Sequence, residues 1–402
     1  MTYDFTSILD RSGKDAIAVD MVGKGGFAPL GPKDGFDIIP MWVADMNFPT
    51  LPSIQEAIIR RAQHPCFGYF EPTQEYYDSI IRWQEDRNGV TGLTADCIGY
   101  ENGVLGGVMS ALACLAAPGD PVLVHSPTYI GFTNLLKNNG YRIVHSPLKL
   151  DENGVWRMDY EDMDAKLKKY HIHAAIFCSP HNPCGRVWER WELEKALEVY
   201  QANHCTVISD EIWSDLILEG HKHIPVQMVN EWARENVVAL YAPSKTFNLA
   251  GLVGSYHIIY NEPLRDRVLA RSSKCHYNEM NVLSMHALIE AYSPEGRQWV
   301  DQLNQVLTRN VRYGVEFIHS HWPEIQVSMP QGTYMLFLDC TKWCESHGMT
   351  IQELEKAGWD VGVAWQDGCM FQHPCAIRMN LALPLSRVEE AFRRLEEYVF
   401  KK

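Results

Sequence analysis

Five stretches of this chain place a chemically capable residue directly after a short apolar run. Asn102-Gly103-Val104-Leu105-Gly106-Gly107 follows residues 97–101, and Ser126-Pro127-Thr128-Tyr129 follows residues 121–125. Ser179-Pro180-His181-Asn182-Pro183-Cys184-Gly185 follows 173–178, Asp210-Glu211 follows 206–209, and Ala242-Pro243-Ser244-Lys245-Thr246 follows 237–241. The inventory is a glycine-rich helix start, an aromatic ring, an amide, a carboxylate and a lysine. Free N–H groups at a helix N-terminus suit a dianionic phosphate. A tyrosine ring can stack on another ring, and a lysine amine bonds covalently to an aldehyde. The set fits a phosphorylated aromatic cofactor held through a lysine. Each member alone has a plainer reading: a tight turn, a packed ring, a turn former, a helix cap, a solvated charge. The functional reading rests on their recurrence at successive strand ends.

The elements that must position these residues are legible as alternation. Residues 97–101, 121–125, 141–145, 173–178, 206–209, 237–241 and 255–260 are short, rich in Val, Ile and Ala, and bounded by Gly, Pro, Asn or Asp. Such runs predict buried strands. Helical patterns over 103–117, 129–139 and 189–203 lie between them. Strands with little polar content alternating with helices predict a mostly parallel, seven-stranded α/β sheet sandwiched by helices. In such sheets ligands sit beyond the carboxyl ends of the strands, where the five stretches fall. After about residue 290 the pattern changes to a long helix (296–321), a strand (334–339), a short helix (351–357), a strand (376–381) and a charged helix (386–400). This predicts a smaller α+β domain made of 291–402 with the Gly- and Pro-rich segment 1–50, beside a large domain over 51–290.

SPHNPCGR (179–186), SDEI (209–212) and APSKTFNLAGL (242–252) resemble the signature segments of the fold-type I pyridoxal-phosphate enzymes, the aspartate aminotransferase superfamily. MWVADMNF (41–48) and APSKTFNLAG narrow the resemblance to the MalY/PatB-type cystathionine β-lyases and cysteine-S-conjugate β-lyases. It runs from about Asp4 to the C-terminal helix. It implies that Lys245 bonds the pyridoxal 5′-phosphate aldehyde and then removes the substrate Cα proton. Asp210 would pair with the pyridine nitrogen, Asn182 would donate to the ring oxygen and Tyr129 would stack on the ring. Trp213, where the family usually has His or Tyr, joins the cofactor-binding set. Gly103, Val104 and Ser244 would hold the phosphate. Tyr69 would reach the phosphate of a neighbouring subunit, which implies a homodimer with shared active sites. Arg378 would grip the substrate α-carboxylate, for which a planar guanidinium is suited, with Trp42 and Ala44 beside the substrate. Arg378 stands in an apolar strand pattern, where an unpaired charge is costly. The implied reaction is carbon–sulfur β-lysis of L-cystathionine or related cysteine S-conjugates to pyruvate, ammonia and a thiol. The alternative is an aminotransferase for a neutral or aromatic amino acid, and a third reading is a cofactor-binding regulator without turnover.

Composition sets the boundaries. The chain has 402 residues, 46% of them hydrophobic and 21% charged, an ordinary globular balance. A net charge of −14 makes nucleic acid and anionic membrane poor partners. No stretch reaches the ~18 apolar residues of a bilayer span, and the N-terminus lacks the pattern of a signal peptide. Eleven scattered cysteines without CxxC spacing predict reduced thiols in a cytoplasmic protein and no metal site. His171/His173 and His221/His223 lack companion ligands and read as surface or core histidines.

Overall fold

The seven apolar runs pair into one sheet. The structure, a computed structural model, describes residues 2–401. The strands are β1 (Ile98–Asn102), β2 (Pro121–Ser126), β3 (Arg142–Pro147), β4 (Ala174–Cys178), β5 (Thr206–Asp210), β6 (Val237–Tyr241) and β7 (Gly254–Ile258). Their spatial order is β1-β7-β6-β5-β4-β2-β3. Pairings among β2 to β6 are parallel, while β7 runs antiparallel to both of its neighbours. Every residue of β4 and β6 is buried, as expected for central strands covered on both faces. The period-2 alternation sorts them into two cores. Ala175, Phe177, Val207 and Ala239 pack into one cluster; Ala174, Ile176, Ile208 and Val238 pack into the other.

A helix, α1 (Gly103–Leu115), starts directly at the end of β1. It lies so close to β6 that a Cβ on Gly107 would meet Leu240 at 2.6 Å. Any side chain there would have to displace Leu240 and crowd Glu101, so glycine suits this approach.

The C-terminal part forms a second layer. A 28-residue helix, α2 (Pro294–His321), is capped by Ser293, whose hydroxyl accepts the Gly296 N–H at 3.1 Å. An antiparallel sheet follows: β8 (Gln326–Val327), β9 (Met335–Asp339), β10 (Gln366–Asp367) and β11 (Ala376–Asn380), ordered β8-β9-β11-β10. The terminal helix α3 (Leu385–Leu395) closes on α2 through Trp322 and Phe392, stacked with centroids 5.5 Å apart. From the N-terminal segment, Ile39–Pro40 pairs in parallel with Val363–Ala364. Among the described residues no helix is long and apolar enough to cross a membrane.

Candidate active site

The carboxyl ends of the parallel strands enclose a cavity of about 190 Å³. Gly103, Val104, Tyr129, Asn182, Asp210 and Lys245 line it, so the five sequence stretches do converge. Lys245 sits on a single turn, Pro243–Thr246, immediately after β6. It is buried, and its Nζ donates to the Ala44 carbonyl at 2.8 Å. Burial lowers its pKa to about 8; the Arg378 charge pushes the same way, while Asp45 and Asp210 oppose. Asp210 ends β5, and one of its oxygens accepts the Ile212 N–H at 3.1 Å. Burial raises its carboxyl to about 7, against the pull of that N–H and of Lys245. A buried carboxyl and a buried amine moved towards neutrality within one cavity can each gain or lose a proton near neutral pH.

The other expected residues are placed as follows. Tyr129 is buried at the start of the helix Ile130–Asn138, its ring edge-on to Phe132 at 5.3 Å. Ser244 lines the cavity beside Lys245, and among the described residues its hydroxyl has no partner. Trp213 is buried, meets the Tyr334 ring edge-on at 4.8 Å, and lies 5.7 Å beneath the Lys245 amine. Arg378 stands behind Asn182, whose Oδ1 accepts from it at 3.4 Å. Its other partners are equally neutral: the Trp42 carbonyl at 2.8 Å and Gln366 Oε1 at 3.0 Å. The Phe371 ring lies 4.5 Å below the guanidinium. Its Nε has no partner, and no carboxylate pairs with it among the described residues. Burial lowers its pKa to about 10, so it remains a cation at neutral pH without a counter-ion.

Ala44 lines the cavity, but the Trp42 ring does not: its indole N–H bonds the Ala18 carbonyl at 3.0 Å. What Trp42 presents to the site is its carbonyl, on Arg378. Tyr69 lies outside the cavity. Its ring is fully exposed, on the wall of a separate concavity of about 1030 Å³ with Phe67, Phe70, Tyr100 and Met280.

Several contributors had no sequence signal. Leu105, Cys178, Ile212, Ala250 and Val253 also line the cavity. Gly131 is required by Tyr129: a Cβ there would lie 2.3 Å from the tyrosine ring. Asn380, two residues from Arg378 on the same face of β11, donates to the carbonyls of Val43 and Asp45; the strand period offered a clue to that one. His223 proves to be a core histidine, with Nε2 2.7 Å from Glu211. Among the described residues no group of three or more His, Cys, Asp or Glu side chains could hold a metal ion.

Comparison with known proteins places this geometry. The family model for aminotransferase class I and II matches residues 37–395. Cystathionine β-lyase PatB of Bacillus subtilis (strain 168) is 33% identical over 363 residues, covering 90% of this chain and 92% of that protein. Protein MalY of Escherichia coli (strain K12) is 31% identical over 395 residues, covering 96% of each. The crystal structure of cystalysin from Treponema denticola, which contains pyridoxal 5′-phosphate, superimposes with a TM-score of 0.89 at 28% identity over 99% of both chains. With a match spanning nearly its whole length, the chain belongs to the class I and II aminotransferase family, in the branch that includes MalY and PatB.

Proposed function

We propose that this chain is a pyridoxal-phosphate-dependent carbon–sulfur β-lyase acting on L-cystathionine or related cysteine S-conjugates. The observation that carries the reading is one cavity holding a buried lysine, a buried acid short of partners and a helix N-terminus.

The residues present fit that cofactor. The first N–H groups of α1 and the unpartnered Ser244 hydroxyl suit a phosphate dianion. Asp210 accepts one N–H and has no cation in hydrogen-bond contact, which leaves it able to hold a protonated ring nitrogen. Asn182, which lines the same cavity, would donate its amide N–H to the ring oxygen, and Tyr129 would supply a rigid buried ring for stacking. When bound, pyridoxal phosphate supplies an aldehyde for amines and a protonated ring that withdraws electrons from the substrate Cα.

The chain's own groups do the rest. Lys245, with its pKa lowered to about 8, holds a substantial neutral fraction at mildly alkaline pH. Its Nζ takes the Cα proton and holds it next to the developing charge. Arg378 binds the substrate carboxylate through its fork, replacing weak neutral partners with a charged one. Trp213 and Tyr334 form a dry wall behind the amine, which strengthens both interactions by excluding water.

The same reading assigns a large domain to 51–290 and a small one to 1–50 with 291–402. It makes the enzyme a cytoplasmic homodimer in which Tyr69, a ring entirely in solvent on a single chain, completes the site of a second copy. All eleven cysteines are free thiols, in keeping with a reducing compartment.

Holoenzyme supplied with L-cystathionine should release pyruvate and a thiol without any added 2-oxo acid. A strict requirement for a 2-oxo acid would turn the assignment to an aminotransferase. Lys245→Ala should abolish the lysine-dependent cofactor absorbance near ~420 nm and at least ~10³-fold of the rate. An absorbance that survives dialysis in this variant refutes the role of Lys245.

A further inference from the structure

Both cations of the site, Lys245 and Arg378, are held by one irregular segment, residues 41–47. The Ala44 carbonyl accepts from Lys245 at 2.8 Å and the Trp42 carbonyl accepts from Arg378 at 2.8 Å. The segment has neither helix nor strand, so no repeating ladder fixes those two carbonyls. Amides stitch it down on either side. Asn380 Nδ2 donates to the carbonyls of Val43 and Asp45 at 2.8 and 2.5 Å. Asn248 accepts the Met46 N–H and donates to the Met46 carbonyl, both at 3.0 Å.

The segment also carries one charge, Asp45, placed where it acts on Lys245. Its side chain meets a single cation. Arg11, from the N-terminal arm, grips Asp45 with both nitrogens, at 3.2 and 2.6 Å, and also reaches the Met46 carbonyl at 3.2 Å and Asn47 Oδ1 at 3.0 Å. Both side chains are mostly buried, 14% and 19% exposed. A two-pronged, partly desolvated pair of this kind fixes the geometry of both side chains more firmly than a single-contact surface ion pair does.

We propose that Arg11 and Asp45 form a clamp that fixes segment 41–47 across the cofactor cavity and sets the charge felt by Lys245, making Arg11 a positioning residue for a reaction it does not touch. The inference rests on the role of Lys245 proposed above. Its logic is electrostatic as well as mechanical. The charged groups facing Lys245 are Arg378 from β11, Asp210 from β5 and Asp45 from the segment. Asp45 in turn faces Arg11 and the Tyr334 phenol, whose buried hydroxyl has no partner. Removing Arg11 leaves the Asp45 carboxylate uncompensated and favours a protonated Lys245 nitrogen. Removing the Asp45 charge does the reverse.

The test follows the pH midpoint of the lysine-linked cofactor absorbance in holoenzyme, together with amide exchange of residues 41–47 in the cofactor-free chain. The Arg11→Ala midpoint should rise and the Asp45→Asn midpoint should fall, each by roughly half a pH unit or more. The double variant should lie between them, and Arg11→Lys should stay near the parent. Exchange of 41–47 should quicken in all variants except Arg11→Lys. Midpoints that move in the same direction, or exchange that does not change, overturn the clamp. Failure here is separable from failure of the lysine assignment, because a Lys245→Ala protein that keeps the absorbance refutes that assignment whatever the clamp variants do.

Discussion

Asp210 and Glu211 are neighbours in sequence, both buried, and opposite in circumstance. Glu211 is saturated. Its Oε1 accepts from Ser209 Oγ at 2.9 Å and from the Val226 N–H at 3.0 Å; its Oε2 accepts from Tyr241 at 2.7 Å and lies 2.7 Å from His223 Nε2. Asp210 has one backbone N–H and a carboxyl pushed up to about 7. The same contrast holds for cations. Arg186 is buried in a ring of partners that includes Glu189 and Glu192, whereas Arg378 is buried among neutral oxygens. A buried charge is costly unless it is paired. Glu211 and Arg186 have their partners within the fold; Asp210 and Arg378 have no charged partner in contact, which is what the ligand-binding roles proposed for them require. In these two pairs the saturated charges lie outside the cavity wall, and the unsaturated ones line it or stand directly behind Asn182.

Three substitutions bear on that contrast. Glu211→Ala should have the largest effect, because it strands a histidine, a hydroxyl and a backbone N–H and leaves the Tyr241 phenol to Gln227 alone. The expected loss is about 3–5 kcal/mol of stability, read from the denaturant midpoint. A variant as stable as the parent would remove the distinction between the two carboxylates. Arg378→Ala should raise KM for the amino-acid substrate roughly a hundredfold, about 2–3 kcal/mol, with cofactor content unchanged. Unaltered kinetics would place the carboxylate site elsewhere. The smallest effect is the most diagnostic. In the folded cofactor-free chain the Asp210 pKa is raised from its ordinary 3.8 to about 7. Its charge therefore destabilises the fold fully above pH 7, and the penalty is relieved as pH falls from 7 towards 4. Asp210→Asn should accordingly stabilise the cofactor-free chain at pH 8, read from the denaturant midpoint. The gain should shrink towards pH 5 and vanish when cofactor is bound. A gain that does not depend on pH would mean that burial of the charge is not the cause.

The seven strands were legible because a central strand, buried on both faces, must be a continuous apolar run, as AAIFC and VVALY are. The residues at their ends followed from topology, since a parallel sheet gathers its carboxyl ends on one edge. The reversed direction of β7 was not legible, because burial pattern carries no sign of strand direction. Nor were β10 and the Val363–Ala364 pairing, which at two residues each are too short to show a period. The helix at Ile351 extends to Asp360, past the glycine at 358 where the pattern weakens. The Arg11–Asp45 clamp and the support of Arg378 by Gln366 were invisible for a different reason. They join irregular or very short segments, and no spacing rule relates a side chain on one loop to a carboxylate on another. Trp42 shows the limit of the family resemblance. It implied a substrate neighbour, but the indole turns to the Ala18 carbonyl, and only the backbone carbonyl of Trp42, which any residue would have supplied, meets Arg378.

The close approach of Tyr129 to Gly131 constrains any redesign of this enzyme. Because the phenol of Tyr129 occupies the space that even a methyl group would need, a mutational library aimed at new substrates should hold that position fixed. Under the stacking role proposed for Tyr129, an alanine there would tilt that ring and disturb every substrate alike, so a screen at this position should return weakened cofactor binding where altered selectivity was sought.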